Sequence, residues 1–335
     1  MNQYKVAIIG CGSIGALKPE HIDYPNSPNI LTHCNSIDRH MQTELMAIVD
    51  TNDKQLMKAK EKWNPQLTVK TYDELISGNP VPDIVILAVP TEHHYETMLN
   101  IFSHPTLPKL IIAEKPFCSN SIEAEEIASL SKEKCTDGRR KVPIMIDYIR
   151  RYATGYQEIK KQIDSEDFGE ALNCRVLYTR GLKHEGCHAL DLMRYFFGKY
   201  AGGHILQGGQ IIDRNSDDPT YEIEMWFEKC FSVVFQPCDG RLYGIFEIDI
   251  CFEKCRLRFI DNGLYVEKYS IAEENEWGHK SLDYSLSNVL RTETGLTTAL
   301  YNLVDNAVKF LDGEEDLICT ADDAVAVHEI LDHLK

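Results

Sequence analysis

The sequence predicts an α/β protein: an N-terminal doubly wound parallel sheet, then an α+β half built on an open antiparallel sheet. Three observations predict it. Short apolar, β-branched runs alternate with amphipathic stretches through the first 150 residues, as in parallel strands covered by helices on both faces. A glycine-rich turn follows the first of those runs. Beyond residue 150 the apolar period drops to two and helical patterns become scarce, which marks a sheet with one buried and one wetter face. A chain of 335 residues, 43% of them hydrophobic, supports two domains with cores of their own. The boundary is expected at 147/148, giving domains 1–147 and 148–335, with the closing helices free to pack back on the first.

In the first half, Lys5–Ile9, Leu45–Val49, Ile84–Val89, Leu110–Ala113 and Pro143–Ile146 read as buried strands. Ser121–Lys134 reads as a helix, with Asn120 and Glu123 spaced as a capping box. In the second half, Tyr221–Phe227, Phe231–Phe235, Tyr243–Phe252, Cys255–Ile260 and Leu264–Tyr269 read as strands. Phe246, Ile248, Ile250 and Phe252 alternate with Glu247, Asp249, Cys251 and Glu253. Two helices close the chain: Leu300, Leu303, Val304, Ala307, Val308 and Leu311 fall on one face, as do Val327, Ile330, Leu331 and Leu334. The wettest stretch, Ala272–Ser287, reads as a surface loop.

Charge narrows the partners. Lys and Arg number 35 against 52 Asp and Glu, a net charge of −17. Coating a nucleic acid or an anionic membrane needs the opposite balance, so neither is an expected partner. No apolar run approaches the ~18–20 residues of a membrane helix. The first residues lack a signal-peptide shape, and the 11 cysteines form no C-x-x-C. Reduced thiols and a cytoplasmic location are therefore expected.

Gly10-Cys11-Gly12-Ser13-Ile14-Gly15 is G-x-G-x-x-G directly after the first strand. In that context the first glycine makes the tight turn, the second lets the main chain approach a pyrophosphate, and the third packs helix on strand. The helix N-terminus then faces the phosphates. This predicts a Rossmann-type dinucleotide site. Asp50 ends the second strand, where a carboxylate accepts from the ribose 2′-OH and repels a 2′-phosphate, favouring NAD over NADP; the alternative is that it caps the next helix. Asp50 lies 35 residues after Gly15, against about 20 in the usual motif. The excess falls in Lys18–Ile30, where Pro19, Pro25 and Pro28 forbid a continuous helix. It reads as an insertion, either part of a substrate lid or a passive surface loop, with the helix resuming near Thr32.

Later strand ends carry Pro90-Thr91-Glu92-His93-His94 and Glu114-Lys115-Pro116. Together with the glycine turn, Tyr148-Ile149-Arg150-Arg151, Gly186-Cys187-His188-Ala189-Leu190-Asp191 and the closing Ala321-Asp322-Asp323-Ala324, the chain resembles the glucose–fructose oxidoreductase / inositol dehydrogenase (Gfo/Idh/MocA) family over nearly its whole length. The resemblance implies a Rossmann domain plus an open-sheet α/β domain with the active site between them, NAD(P) across the strand ends, and a sugar, polyol or nucleotide sugar as substrate. It implies Lys115 beside nicotinamide and substrate hydroxyl, His188 as acid/base and Asp191 as the acid that follows. The expected cofactor contacts are Gly10, Gly12, Ser13, Ile14, Gly15, Asp50, Thr51, Val89, Pro90, Thr91, His94, Glu114 and Lys115. The expected substrate contacts are Lys115, Tyr148, Arg150, His184, His188 and Asp191; no metal is expected. A homo-oligomer, dimer or tetramer, is expected through the antiparallel sheet, which carries aromatic residues on both sides, among them Trp226 and Phe227.

The residue chemistry agrees with these roles. Alcohol oxidation needs a hydroxyl proton removed as hydride departs, and histidine titrates in the right range. An ammonium nearby stabilises alkoxide charge. One departure is His184, where many members carry Asp four residues before the histidine; His184 reads as a second proton carrier or substrate contact, or as the mark of a non-catalytic NAD-binding regulatory protein. His184-Glu185-Gly186-Cys187-His188 also spells H-E-x-x-H, a remote zinc-hydrolase alternative that would need one continuous helix.

Overall fold

The computed structural model describes residues 3–133, 142–210 and 217–334. The chain divides into two compact units, residues 1–152 with 297–329, and 153–296 with 330–335.

The first unit starts with β1 (Tyr4–Ile9), α1 (His33–Arg39), β2 (Thr43–Val49), α2 (Asp53–Trp63), β3 (Leu67–Val69) and α3 (Tyr72–Ile76). It continues with β4 (Ile84–Leu87), α4 (His94–Ser103), β5 (Leu110–Ala113), α5 (Ser121–Lys132) and β6 (Ile144–Ile146). The six strands are parallel in the order β3-β2-β1-β4-β5-β6, the doubly wound arrangement the alternation implied. Val6, Ile8, Ile84–Leu87 and Leu110–Ile112 are buried. A strand covered on both faces needs apolar side chains throughout, which is why these runs do not alternate. The chain order reverses between β1 and β4, where ligands bind in open α/β sheets. β3 was not expected: it is a three-residue edge strand with half-buried side chains, too short and mixed to carry a pattern. Asn120 caps α5, accepting from the Glu123 N–H at 3.0 Å, while the Glu123 carboxylate accepts from Ser119 rather than from Asn120. Lys134, where that helix was expected to end, lies outside the described residues.

The second unit opens with α6 (Thr154–Asp164), β7 (Ala171–Tyr178), α7 (Cys187–Phe197) and β8 (Tyr200–Gln210). Six more strands follow: β9 (Thr220–Phe227), β10 (Cys230–Pro237), β11 (Phe246–Phe252), β12 (Cys255–Ile260), β13 (Tyr265–Ser270) and β14 (Leu290–Glu293). They form one sheet, β14-β13-β12-β11-β7-β10-β9-β8. It is mostly antiparallel, but β7 and β10 run parallel, a pairing that no local pattern encodes. Ile248, Ile250, Leu257 and Phe259 are buried, and Phe259 stacks on Tyr156 of α6 at 4.7 Å and on Phe196 of α7 at 6.1 Å. The strand expected from Tyr243 begins only at Phe246, because the Ile245 N–H bonds the Thr179 hydroxyl. α8 (Ala299–Asp312) and α9 (Ala321–His333) close the chain. Among the described residues no helix is long and apolar enough to cross a membrane, and ten cysteines stand as thiols.

Candidate active site

The glycine turn is built by contact. A Cβ on Gly10 would lie 2.5 Å from the Ala88 carbonyl oxygen, and one on Gly15 would lie 2.1 Å from that of Gly10. Gly10 also adopts φ +96°, where a side chain is strained. Gly12 differs: a Cβ there would meet nothing within 4 Å. The N–H groups of Gly12, Ser13 and Ile14 take no partner among the described residues, so three successive donors stand at the turn, as in an anion nest.

The insertion interrupts a helix without displacing it. Ala16 N–H bonds Gly12 O at 3.0 Å, a first helical turn; His33 N–H then bonds Ile14 O and Cys34 N–H bonds Gly15 O, both at 2.9 Å. His33 thus occupies the place that residue 18 would take in an unbroken helix, and residues 18–32 loop out. Discounting those 15 residues returns the Gly15-to-Asp50 spacing to the usual value of about 20. Asp23 anchors the loop from inside: fully buried, it accepts from Leu31 N, Thr32 Oγ1 and Asn35 Nδ2 at 3.1, 2.9 and 2.9 Å, and Lys62 Nζ lies 3.4 Å away. Thr32 caps the resumed helix.

Beside the turn lies a cleft of about 740 Å³ lined by Gly10, Gly12, Asp50, Thr51, Thr71, Val89, Pro90 and His93, among others. Asp50 Oδ2 accepts from the Cys11 N–H at 2.9 Å and the Cys11 thiol at 3.3 Å; Oδ1 accepts from Asn52 N–H at 2.8 Å. Asp50 therefore braces the turn, and Asn52, not Asp50, caps α2. Burial and the Asp50 carboxylate push the Cys11 thiol well up, keeping it un-ionised. His94, expected at the cofactor edge, is fully buried; its ring nitrogens face the Phe117 and Val89 carbonyls at 3.0 and 2.9 Å. It shapes the strand end, and the neighbouring His93 is the histidine that lines the cleft.

Glu114 and Asp147 end the adjacent strands β5 and β6, and His33 meets them: Nε2 lies 2.9 Å from Glu114 Oε1 and 3.8 Å from Asp147 Oδ2. The charge of Lys115 acts on both carboxyls. Tyr148 and Arg150 are buried just beyond. Arg151 pairs with Asp323 at 3.2 Å and donates to Ile318 O at 3.3 Å, a structural tie within this unit. His33 and Asp147 were not among the expected site residues. Asp147 carries the signal that singled out Asp50, an acid closing a buried strand. His33 is hidden by the insertion that separates it from the glycine turn.

In the second unit, Leu182–Gly186 form a π turn and α7 starts at Cys187. The Asp218 carboxylate receives the Lys183 and His184 N–H groups at 3.0 and 2.7 Å. His184 is exposed, His188 half-buried in the first turn of α7, and Asp191 buried. The change of helix type at Gly186 breaks the frame that H-E-x-x-H needs. Among the described residues, the metal-spaced group of His, Cys, Asp and Glu side chains is His33, Glu114 and Asp147, not the 184–188 segment.

Comparison with known proteins agrees with this architecture. Residues 4–136 match the model of the Gfo/Idh/MocA oxidoreductase family, NAD-binding Rossmann fold. Inositol 2-dehydrogenase of Corynebacterium glutamicum (strain R) is 26% identical over 174 residues, which cover 52% of this chain and 45% of that enzyme, so the match spans under half the relative's length. Among solved structures, the WlbA dehydrogenase of Bordetella pertussis, in complex with NADH and UDP-GlcNAcA, has a TM-score of 0.76 at 16% identity, over 99% of this chain and 94% of that one. Levoglucosan dehydrogenase, in complex with NADH and L-sorbose, has a TM-score of 0.74 at 13% identity, over 100% and 96%. Over residues 4–136 the chain thus matches the NAD-binding Rossmann fold of that oxidoreductase family, and over its whole length it is similar in fold to the two dehydrogenases.

Proposed function

We propose that the chain is an NAD-dependent oxidoreductase that moves hydride between nicotinamide and the CH–OH or carbonyl carbon of a sugar, polyol or nucleotide sugar. One observation carries the reading: Gly12, with space beyond its Cα and three unpaired N–H donors around it, opens on the same cleft as Asp50. The protein's own packing does not require a glycine there; an approaching pyrophosphate does. Relatives named for inositol and levoglucosan, and a neighbour holding a UDP-sugar, support the substrate class.

Gly12, Ser13 and Ile14 would hold the pyrophosphate, Asp50 and Thr51 the adenosine ribose, and Val89, Pro90, Thr91 and Glu114 the edge toward the nicotinamide. Bound nicotinamide would accept or supply the hydride. Lys115 orients the substrate hydroxyl and offsets its developing negative charge. His188 takes the hydroxyl proton during oxidation and returns it during reduction, with Asp191 three residues on. Tyr148, Arg150 and His184 are assigned to substrate. The exposed His184, in the place of a common family Asp, favours a second reading: an NAD-binding regulatory protein without turnover.

Titration of NADH and NADPH by fluorescence, followed by a turnover screen over sugars, polyols and nucleotide sugars with NAD, tests both readings. Tighter NADPH binding overturns the cofactor assignment. NADH binding without turnover of any compound supports the regulatory reading.

A further inference from the structure

Resting on that assignment of Lys115, we propose that His33, Glu114 and Asp147 form a buried proton-sharing triad, a positioning unit that presents one fixed negative charge to Lys115. Three elements converge: Glu114 follows β5, Asp147 follows β6 in the register that pairs Ala113 with Ile146, and His33 opens α1. Their nearest ligand-capable atoms all lie within 4.8 Å of one another. All three residues are more than nine-tenths buried.

Two carboxylates this close, out of water, cannot both stay ionised. The contacts say which one holds the proton. His33 Nε2 lies 2.9 Å from Glu114 Oε1, a bond that an ionised Glu114 accepts from the Nε2–H tautomer, whereas Asp147 Oδ1 is buried with no donor facing it. A buried acceptor with no donor is costly; a proton of its own, donated to Glu114, removes that cost. Electrostatics point the same way. Burial alone would raise Glu114, but His33, Lys115 and the Asp147 hydrogen bond hold it below the usual carboxylate range. Burial and the Glu114 charge drive Asp147 well above it, against the opposing charges of Lys115 and Lys18.

The same spacing would suit a metal ion. The direct His33–Glu114 bond and the positive charges of Lys115 and Lys18 acting on Asp147 favour a proton instead. Lys18 opens the looped-out residues and His33 follows them, so the insertion frames this corner of the first unit.

The infrared difference spectrum between the parent chain and Asp147→Asn at pH 7 tests the triad without reference to turnover. The expected result is the carbonyl stretch of one un-ionised carboxylic acid, present in the parent, shifted in D2O and lost in the variant. Calorimetric titration with Zn2+ alone is expected to give no stoichiometric binding. The absence of that band, or one equivalent of Zn2+ bound in the parent and lost in Asp147→Asn, overturns the proposal, the latter in favour of a metal site. In a turnover assay the amide can still donate to Glu114, so Asp147→Asn is expected to retain at least tenfold more activity than Asp147→Ala. Equal activities would reduce Asp147 to a packing role and also overturn the proposal. If no substrate is ever turned over, the functional reading fails while the infrared result still decides the triad.

Discussion

At the scale of single residues, the three glycines of the turn separate packing from binding. Gly10 and Gly15 are forced by main-chain oxygens 2.5 and 2.1 Å from where a Cβ would sit. Gly15→Ala is expected to destabilise the fold by about 1–3 kcal/mol, the usual range for overpacking, visible as a lower Tm. Gly12→Ala has room, so its Tm should hold while NADH affinity falls; unchanged affinity would remove the pyrophosphate from this turn. Asp50→Ala should narrow the preference for NADH over NADPH in fluorescence titrations, since the carboxylate that repels a 2′-phosphate is gone. Lys115→Ala and His188→Ala should each lower turnover by about 10²–10⁴-fold, the contribution of general acid–base groups, with adenosine-side affinity unaffected in His188→Ala. Full activity in His188→Ala would move the proton to His184, and full activity in the His184→Ala/His188→Ala double variant would eliminate this mechanism.

At the scale of elements, the insertion is fastened as firmly as a core segment. Asp23→Ala would strand the Leu31, Thr32 and Asn35 donors and leave Lys62 without its buried partner. A loss of about 3–5 kcal/mol is expected, as when a buried pair is broken, and urea unfolding measures it; a change below ~1 kcal/mol would mean the loop is held elsewhere. α1 and α4 carry a pH dependence. Burial holds the His94 ring below its ordinary value against the pull of the Phe117 and Val89 carbonyls, and burial also lowers His40, at the end of α1, against Asp305. Both rings take up protons at lower pH folded than unfolded. Their contribution to stability is therefore full above pH ~6.5 and is lost as pH falls through the folded values. Tm is expected to drop between pH 7 and 5, and the drop should be shallower in His94→Gln.

At the scale of the whole molecule, the outer face of the eight-stranded sheet is mixed polar and aromatic. It carries an Asp249–Arg256 pair with Nε to Oδ1 at 2.7 Å, a Gln236–Glu222 bond at 3.2 Å and a half-buried Trp226. We infer that this face joins copies of the chain. Sedimentation at micromolar concentration should give the mass of a dimer or tetramer; a monomer would count against it. Phe227, expected to share the work, is instead buried in the core of its own unit.

The sequence by itself determined the doubly wound half, because a strand buried on both faces must be apolar at every position, and short runs such as Ile84–Leu87, alternating with amphipathic stretches, meet that demand. It determined Gly10 and Gly15 as well, since close main-chain approach leaves no room for a side chain at either. Tertiary structure alone decided the parallel β7–β10 pair, the edge strand β3 and the strands β8 and β14, whose short, glycine-bearing or exposed stretches gain their hydrogen bonds only from neighbours distant in sequence. It also decided that His94 turns inward and that His33 meets both Glu114 and Asp147, the latter 114 residues further along the chain. Local pattern records which residues must avoid water; which buried polar groups find each other depends on how strands and helices from distant parts of the chain come to rest side by side.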